Sequence, residues 1–241
     1  MDTRMNPVSE SLDQPVDGSS TGLGRRAFVA LSALALASCA APTNTGTGNS
    51  NAKTALAPVN PPKPTVAPAP PFPGTVARAR WSHGEPVAKL MNPMVPVKWI
   101  TIHHDGMTPF TTSDMALTAS RIELIRNGHR GKGWGDIGYH FIIDRSGRIW
   151  EGRALKWQGA HVKDHNEGNI GIVCLGNFEV QSPSDAQLKA LERHIEVVMR
   201  LYKIPATRIK THREWVGAKT ACPGKNLQKF VVTARSKRQF A

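Results

Sequence analysis

Apolar residues in the last two-thirds of the chain follow the spacings of strands and helices. Residues 97–103 alternate between apolar and polar side chains, which predicts a half-buried strand. Residues 169–176 form a near-continuous apolar run, typical of a central strand covered on both faces, with Cys174 as core packing. A turn at 144–147 separates two further strands, which therefore form a hairpin. The predicted strands, in chain order, cover residues 97–103, 139–144, 148–151, 169–176 and 208–210.

Segments with helical spacing alternate with these strands. Residues 113–114 (Ser-Asp) predict a helix start, and 127–128 (Asn-Gly) predict its end. Residues 184–185 (Ser-Asp) begin a second, longer amphipathic helix that 204–205 (Ile-Pro) ends. A third helix follows residue 224 and packs on the core. Strands alternating with helices predict an α/β domain.

The N-terminal segment has the layout of an export signal. Arg25 and Arg26 precede an apolar stretch far shorter than the ~20 residues that a membrane-spanning helix needs. Arg25-Arg26-x-Phe28 resembles the twin-arginine export signal, and the segment from Leu36 to Cys39 resembles a bacterial lipobox, in which Cys39 receives lipid. An ordinary signal peptide with an incidental cysteine is the alternative.

These patterns divide the chain into four segments. Prolines and small polar residues before the domain favour an extended linker that cannot bury a core of its own. The predicted segments are a signal peptide at 1–38, a disordered Pro/Ala/Thr-rich linker at 39–74, an α/β domain at 75–235 and a frayed basic tail at 236–241.

The net charge limits the possible partners, and the cysteine count limits the possible disulfides. The formal net charge of +13 suits a polyanionic partner, which includes nucleic acid, an acidic membrane face and an acidic cell-wall polymer. The three cysteines are too few for a disulfide framework.

Candidate metal ligands stand in the segment 210–224. His212 and Cys222 offer an imidazole and a thiolate, which are ligands of zinc sites; a catalytic zinc site has three protein ligands and one open position. The third ligand is expected from His103 or His104, at the end of the first predicted strand. Because neighbours in a strand point to opposite faces, only one of these two can reach the metal. In the alternative, His212 is a surface residue and Cys222 packs in the core.

Eight short motifs in one order extend this pattern. They are 102–104 (IHH), 136–141 (DIGYHF), 150–153 (WEGR), 159–161 (GAH), 169–172 (NIGI), 176–178 (GNF), 212–214 (HRE) and 220–224 (TACPG). Together they resemble the zinc-dependent N-acetylmuramoyl-L-alanine amidases of the type 2 class, which share a fold with peptidoglycan recognition proteins. The resemblance covers roughly residues 78–232 and implies a single α/β domain with a central mixed β-sheet flanked by helices.

The resemblance also implies the site. One zinc ion per domain is expected, bound by His103, His212 and Cys222. Tyr139 matches a tyrosine beside the zinc that orients the attacking water or assists its deprotonation. Thr220 matches the position that stabilises the oxyanion, and its neighbour Lys219 is the alternative for that role.

Three further residues are expected around the substrate. His161 matches a pocket histidine that faces substrate in the family. Asn169 either contacts the sugar-peptide or holds the loop before its strand, and His104 either lines the pocket or faces away from it.

The expected function is hydrolysis of the amide bond between N-acetylmuramic acid and L-alanine in peptidoglycan or muropeptides. We expect an exported monomer in the cell envelope, anchored to a membrane through lipid on Cys39 and facing the periplasm. The alternative is a non-catalytic wall-binding lipoprotein of the same fold. Nucleic acid is excluded as a partner, because the chain has an export signal and lacks interleaved surface aromatics. The choice between polymeric wall and soluble muropeptide stays open.

Overall fold

The computed structural model describes residues 72–237 and 239–240 and shows one α/β domain with a mixed sheet, as predicted. The predicted signal peptide, Cys39 and almost all of the predicted linker lie outside these residues. No helix in the described part is both long and apolar enough to cross a membrane. The elements are β1 (Trp99–His104), α1 (Met115–Gly131), β2 (Phe141–Ile143), β3 (Ile149–Glu151), β4 (Asn169–Cys174), α2 (Asp185–Tyr202), β5 (Ile209–Thr211) and α3 (Lys225–Ser236).

The five strands form one sheet in the order β3-β2-β4-β1-β5. Strands β2, β4, β1 and β5 run parallel to their neighbours in the sheet, and β3 returns antiparallel to β2 as the predicted hairpin. Strand β4 is central and every one of its residues is buried, which explains its near-continuous apolar sequence.

The two faces of the sheet have different roles. Ile100 and Ile102 of β1 point into the main core, where α2 and α3 cover the sheet. Because side chains alternate along a strand, Thr101 and His103 point to the opposite face, and α1 covers only part of that face. The candidate site lies on the part of this second face that α1 does not cover.

Side-chain caps fix the starts of the two long helices where the sequence predicts them. The carboxylate of Asp114 accepts a hydrogen bond from the backbone N–H of Leu117 at 2.7 Å, and the hydroxyl of Ser184 accepts one from Gln187 at 3.1 Å.

The predicted end of α1 at residues 127–128 is wrong, because the helix continues to Gly131. Tertiary contacts beyond that point hold it. Nδ1 of His129 accepts a hydrogen bond from Gly138 N at 3.0 Å, and the Arg130 guanidinium donates to the carbonyl of Trp134. These bonds outweigh the cost of about 1 kcal/mol that a glycine adds inside a helix.

Both predicted domain boundaries are corrected by apolar residues that pack on the core. Phe72 is 3% exposed and lies edge-on to Phe141 with ring centroids 4.7 Å apart, so the domain begins before residue 75. Phe240 is 1% exposed and belongs to the main core, so this residue of the predicted frayed tail packs on the domain instead. A single aromatic residue outside a periodic segment has no pattern by which the sequence could reveal its burial.

The stability of the domain is expected to fall in mild acid. The ring of His194 is buried between Phe72 and Phe141, and its Nε2 has no hydrogen-bond partner within the described residues. Burial lowers the pKa of His194 to about 4. The unfolded chain takes up this proton near pH 6.5, so stability is full above that pH and falls as the pH drops towards 4. The loss from His194 alone is about 3 kcal/mol.

Denaturant unfolding of metal-free protein at pH 8 and pH 4.5 measures this loss, since chelation removes any contribution from metal release. We expect His194→Leu to flatten the dependence on pH and to raise stability at pH 4.5. An unchanged slope in the variant would show that the buried imidazole is not the titrating group. His129 and His140, whose pKa values burial also lowers to about 4, leave a residual slope.

Candidate metal centre

Three side chains from distant parts of the sequence converge on the second face of the sheet. The potential ligand atoms of His103, His212 and Cys222 all lie within 4.8 Å of one another. His103 is the penultimate residue of β1, and His212 directly follows β5, which pairs with β1 in parallel at Ile102 and Thr211. Parallel pairing therefore brings the two histidines to the same end of neighbouring strands.

A short turn holds His212 in place. Residues His212–Glu214 form a single turn of 3-10 helix closed by a capping box, in which Glu214 accepts hydrogen bonds from the backbone N–H of Thr211 at 2.7 Å and from its hydroxyl. Arg235 of α3 forms an ion pair with the same carboxylate at 2.5 Å. The turn that carries His212 is thus fixed to both β5 and α3.

The third side chain, Cys222, is held from two sides. Its Sγ lies 3.4 Å from the backbone N–H of His104, which donates to it, and 3.6 Å from Nδ1 of His103. Its own backbone N–H donates to the hydroxyl of Thr220 at 3.0 Å. Lys219, the other predicted oxyanion residue, is exposed, and among the described residues no hydrogen bond or ion pair involves its side chain.

A hydrogen-bond relay behind His103 sets its tautomer. Nε2 of His161 lies 3.1 Å from the carbonyl of Asn169, and Nδ1 of His161 lies 3.1 Å from Nε2 of His103. A carbonyl can only accept, so Nε2 of His161 donates to it and Nδ1 accepts from His103. This leaves the Nδ1 lone pair of His103 facing Cys222, as a metal ligand requires.

Two glycines in the motifs make room for the relay. A Cβ at Gly171 would come within 2.6 Å of the His161 ring, and one at Gly159 within 2.5 Å. Only glycine at these positions lets the imidazole lie against the sheet.

His161→Ala is expected to weaken zinc affinity about 10- to 100-fold, because the variant loses the partner that orients His103. Competition with a chromophoric chelator measures the affinity. His165→Ala serves as the control, since His165 lies on the same loop and bonds to Val216 instead. Equal zinc affinity in His161→Ala and the control would exclude the relay as a support.

The chemistry of the three donors fits zinc. Imidazole nitrogen and thiolate sulfur are both zinc ligands, and bonds of about 2.0–2.3 Å put such donors roughly 3.5 Å apart. Burial lowers the pKa of His103, which keeps its imidazole neutral. Burial also raises the pKa of Cys222 to about 12, so its thiolate needs a compensating cation in this position.

Tyr139 lies beside the cluster. Its ring centroid is 5.1 Å from that of His103, and the ring also packs against His129. Its hydroxyl makes no hydrogen bond to any residue in the described part of the chain, so it is free to bond to a substrate or a water. Burial raises the pKa of Tyr139, which keeps the phenol protonated.

The structure places the other predicted substrate residues away from solvent. His161 is 8% exposed and occupied by the relay. Asn169 is fully buried, and its side chain bonds to Thr101 and to the carbonyl of His165, which supports the loop-holding alternative. His104 points to the other face of the sheet, where its Nδ1 accepts a hydrogen bond from the backbone N–H of Phe178 at 3.1 Å.

Sequence reasoning missed the residues that support the ligands. Arg121 of α1 makes paired hydrogen bonds at 3.0 and 3.1 Å to Asp105, which follows the two histidines. In the sequence, Arg121 could be recognised only as a charged residue next to the apolar residues of the predicted first helix. The support from Glu214 was visible in principle, because Thr211 and Glu214 have the spacing of a capping box.

Comparison with known proteins identifies relatives of most of the domain. A family model described as N-acetylmuramoyl-L-alanine amidase matches residues 93–225. The N-acetylmuramoyl-L-alanine amidase of Sus scrofa is 34% identical over 155 residues, which are 62% of this chain and 25% of the pig protein. The chain thus spans about a quarter of the length of that relative.

Two further relatives are recognition proteins. Peptidoglycan-recognition protein 2 of Holotrichia diomphalia is 30% identical over 152 residues, which are 63% of this chain and 77% of that protein. The solved structure of peptidoglycan recognition protein-LE in complex with tracheal cytotoxin, a monomeric diaminopimelic acid-type peptidoglycan, has a TM-score of 0.61. It is 25% identical and covers 67% of this chain and 94% of its own.

Proposed function

Because this chain belongs to the N-acetylmuramoyl-L-alanine amidase family, we propose that it is a zinc-dependent hydrolase of the bond between N-acetylmuramic acid and L-alanine in peptidoglycan or muropeptides. The observation that carries the proposal is the cluster of His103, His212 and Cys222, whose ligand atoms lie within 4.8 Å of one another. Imidazole nitrogen and thiolate sulfur are zinc ligands, and three protein ligands are the number found in catalytic zinc sites, so this cluster favours hydrolysis over binding alone.

The residues around the cluster have different roles in the proposed reaction. When bound, zinc would polarise the scissile carbonyl and make water a better nucleophile. His103, held by His161, keeps its lone pair directed into the site, and the capping box at Thr211 and Glu214 holds the turn that carries His212. The phenol of Tyr139 can donate a hydrogen bond to the oxygen on which charge develops as the amide carbonyl becomes tetrahedral.

We propose that Thr220, like Tyr139, donates a hydrogen bond to the oxyanion. Its hydroxyl accepts from the backbone N–H of Cys222 and still has its own proton to donate. Lys219 is exposed and, within the described residues, has no contact that would hold its ammonium at the site. The lack of a fixed positive charge there favours the second candidate, a peptidoglycan-binding protein with weak or no turnover.

Digestion separates the two candidates. Purified peptidoglycan and a soluble muropeptide are each incubated with the zinc-loaded protein, and mass spectrometry follows the release of stem peptides with a free L-alanine amino group. The amidase proposal predicts release that chelation abolishes. Binding of both substrates without any release by protein that holds one zinc would leave only the recognition function.

The N-terminal segment completes the proposal as a lipid-anchored, exported protein. The paired arginines before a short apolar stretch and the lipobox-like Leu36–Cys39 support it. Metabolic labelling with radioactive palmitate should mark the wild type and leave Cys39→Ala unlabelled. Equal labelling of the variant, or none of the wild type, would rule the anchor out.

A further inference from the structure

Arg213 closes the segment that separates two of the candidate metal ligands. It directly follows His212, and its backbone N–H donates a hydrogen bond to the carbonyl of Cys222 at 3.1 Å. Its side chain bonds to the same region, because Nε donates to that carbonyl at 3.4 Å and Nη2 donates to the carbonyl of Ala221. The peptide groups on both sides of Cys222 are therefore bonded to the residue that follows His212.

A carboxylate on a neighbouring loop fixes the guanidinium of Arg213. Oε1 of Glu179 accepts a hydrogen bond from Nη2 of Arg213 at 3.1 Å and another from the backbone N–H of Lys225, the first residue of α3, at 3.0 Å. The loop and the helix are also joined directly, because the carbonyl of Phe178 accepts from the backbone N–H of Asn226 at 3.1 Å. These bonds keep the guanidinium against the two carbonyls to which it donates.

The turn that Arg213 holds carries two residues of the proposed machinery. The hydroxyl of Thr220 accepts a hydrogen bond from the backbone N–H of Cys222 at 3.0 Å, so the proposed oxyanion donor and the thiol belong to one short turn. A ligand that is ordered before the metal binds avoids the conformational entropy cost of being ordered on binding. A fixed turn therefore favours metal binding and sets where Thr220 lies relative to the reacting carbonyl.

The ion pair of Arg213 and Glu179 is too exposed to contribute much to the stability of the fold. The two side chains are 31% and 35% exposed, and a pair in contact with water gains little from its charges. Its bonds, however, go to the turn that carries Cys222 and to the start of the adjoining helix. Loss of a group that orients a metal ligand typically lowers metal affinity or activity by about 10- to 100-fold.

We infer that Arg213, held by Glu179, is a positioning residue that fixes the turn carrying Cys222 and Thr220 for metal binding and for the reaction. The inference rests on the proposed function for the identity of the metal and of the reaction. Arg213 acts through the turn, so it needs no contact with the substrate.

The zinc affinity of the full chain tests the inference without any turnover. We expect Arg213→Ala to weaken zinc binding at least about 10-fold and Glu179→Ala to weaken it several-fold, as measured by competition with a chromophoric chelator. The double variant should bind zinc within about 2-fold of Arg213→Ala, because Glu179 acts through Arg213.

Arg148→Ala is the matched control for the loss of a partly exposed arginine. The side chain of Arg148 is 29% exposed, pairs with Asp144 and donates to the carbonyl of Ser113, and within the described residues it has no bond to the segment 212–222. We therefore expect wild-type zinc affinity in Arg148→Ala.

Cobalt in place of zinc distinguishes positioning from a loss of stability. A thiolate bound to cobalt gives a charge-transfer absorption in the near ultraviolet that depends on the geometry of the cobalt–sulfur bond. We expect Arg213→Ala saturated with cobalt to show an altered absorption, while the metal-free variant unfolds in denaturant close to the wild-type midpoint. A variant that were only less stable would regain the wild-type spectrum at saturation.

Kinetics at zinc saturation add a third measurement. We expect kcat of Arg213→Ala to fall at least about 10-fold while KM stays within about 3-fold, because the residue acts on the metal site and not on the substrate. Wild-type zinc affinity and a wild-type cobalt spectrum in Arg213→Ala would overturn the inference, as would an equal loss of zinc affinity in Arg148→Ala. If the zinc-bound wild type hydrolyses nothing, the proposed function fails, while the zinc affinity and the cobalt spectrum still decide the role of Arg213.

Discussion

His103→Ala is expected to abolish amide hydrolysis and to release the metal. The variant keeps only His212 and Cys222 of a three-residue donor set whose atoms lie within 4.8 Å of one another. Two protein ligands hold zinc poorly, and the chemistry that the metal supplies is lost with it. We expect kcat/KM to fall by at least about 10³-fold and the zinc content to fall from one per chain to near zero. Mass spectrometry of released peptide and elemental analysis after dialysis measure the two effects.

The neighbouring histidine provides the control for this experiment. His104 adjoins His103 but points to the other face of the sheet, where its Nδ1 accepts from the backbone N–H of Phe178. Asparagine can replace that acceptor with its side-chain oxygen, so His104→Asn should retain zinc and most activity. Zinc retained in His103→Ala and lost in His104→Asn would mean that the two histidines have been assigned to the wrong faces.

Tyr139→Phe is expected to lower kcat by about 10²- to 10³-fold while zinc content and KM stay close to wild type. The substitution removes one hydroxyl and keeps the ring that packs 5.1 Å from His103. Because that hydroxyl has no partner among the described residues, its loss costs the fold little. Its proposed bond to the developing oxyanion strengthens only in the transition state, so kcat changes and substrate affinity does not.

The second tyrosine of the chain serves as the control for Tyr139. Tyr202 ends α2 on the far side of the domain from the metal cluster, so Tyr202→Phe should have full activity. A Tyr139→Phe variant with wild-type kcat would remove the phenol from the mechanism. A large increase in KM with unchanged kcat would assign Tyr139 to substrate binding instead.

Local patterns in the sequence were sufficient for the strands and for the starts of the two long helices, whereas the set of three donors came from the resemblance to the family. The helix starts at Asp114 and Ser184 were predicted correctly, because capping depends on a few adjacent residues. The central position of β4 followed from its apolar run, since only a strand covered on both faces has that composition. Parallel pairing of β1 and β5 then brings His103 and His212 together, as the motif order implied.

Features that depend on contacts between distant residues were not predictable in this way. Phe72 is an isolated aromatic in a proline-rich segment and Phe240 one in a basic segment, and their burial is visible only in the folded domain. The continuation of α1 beyond Gly128 depends on bonds from His129 and Arg130 to the following loop. The support of His103 by His161 joins residues 58 positions apart, and no sequence period connects them.

X-ray absorption at the zinc edge on the purified full chain tests the central claim most directly. We expect one zinc with two histidine nitrogens at about 2.0–2.1 Å and one sulfur at about 2.3 Å, and we expect Cys222→Ser to lose the sulfur shell. A wild-type spectrum without sulfur, or a sulfur shell that survives in Cys222→Ser, would contradict it.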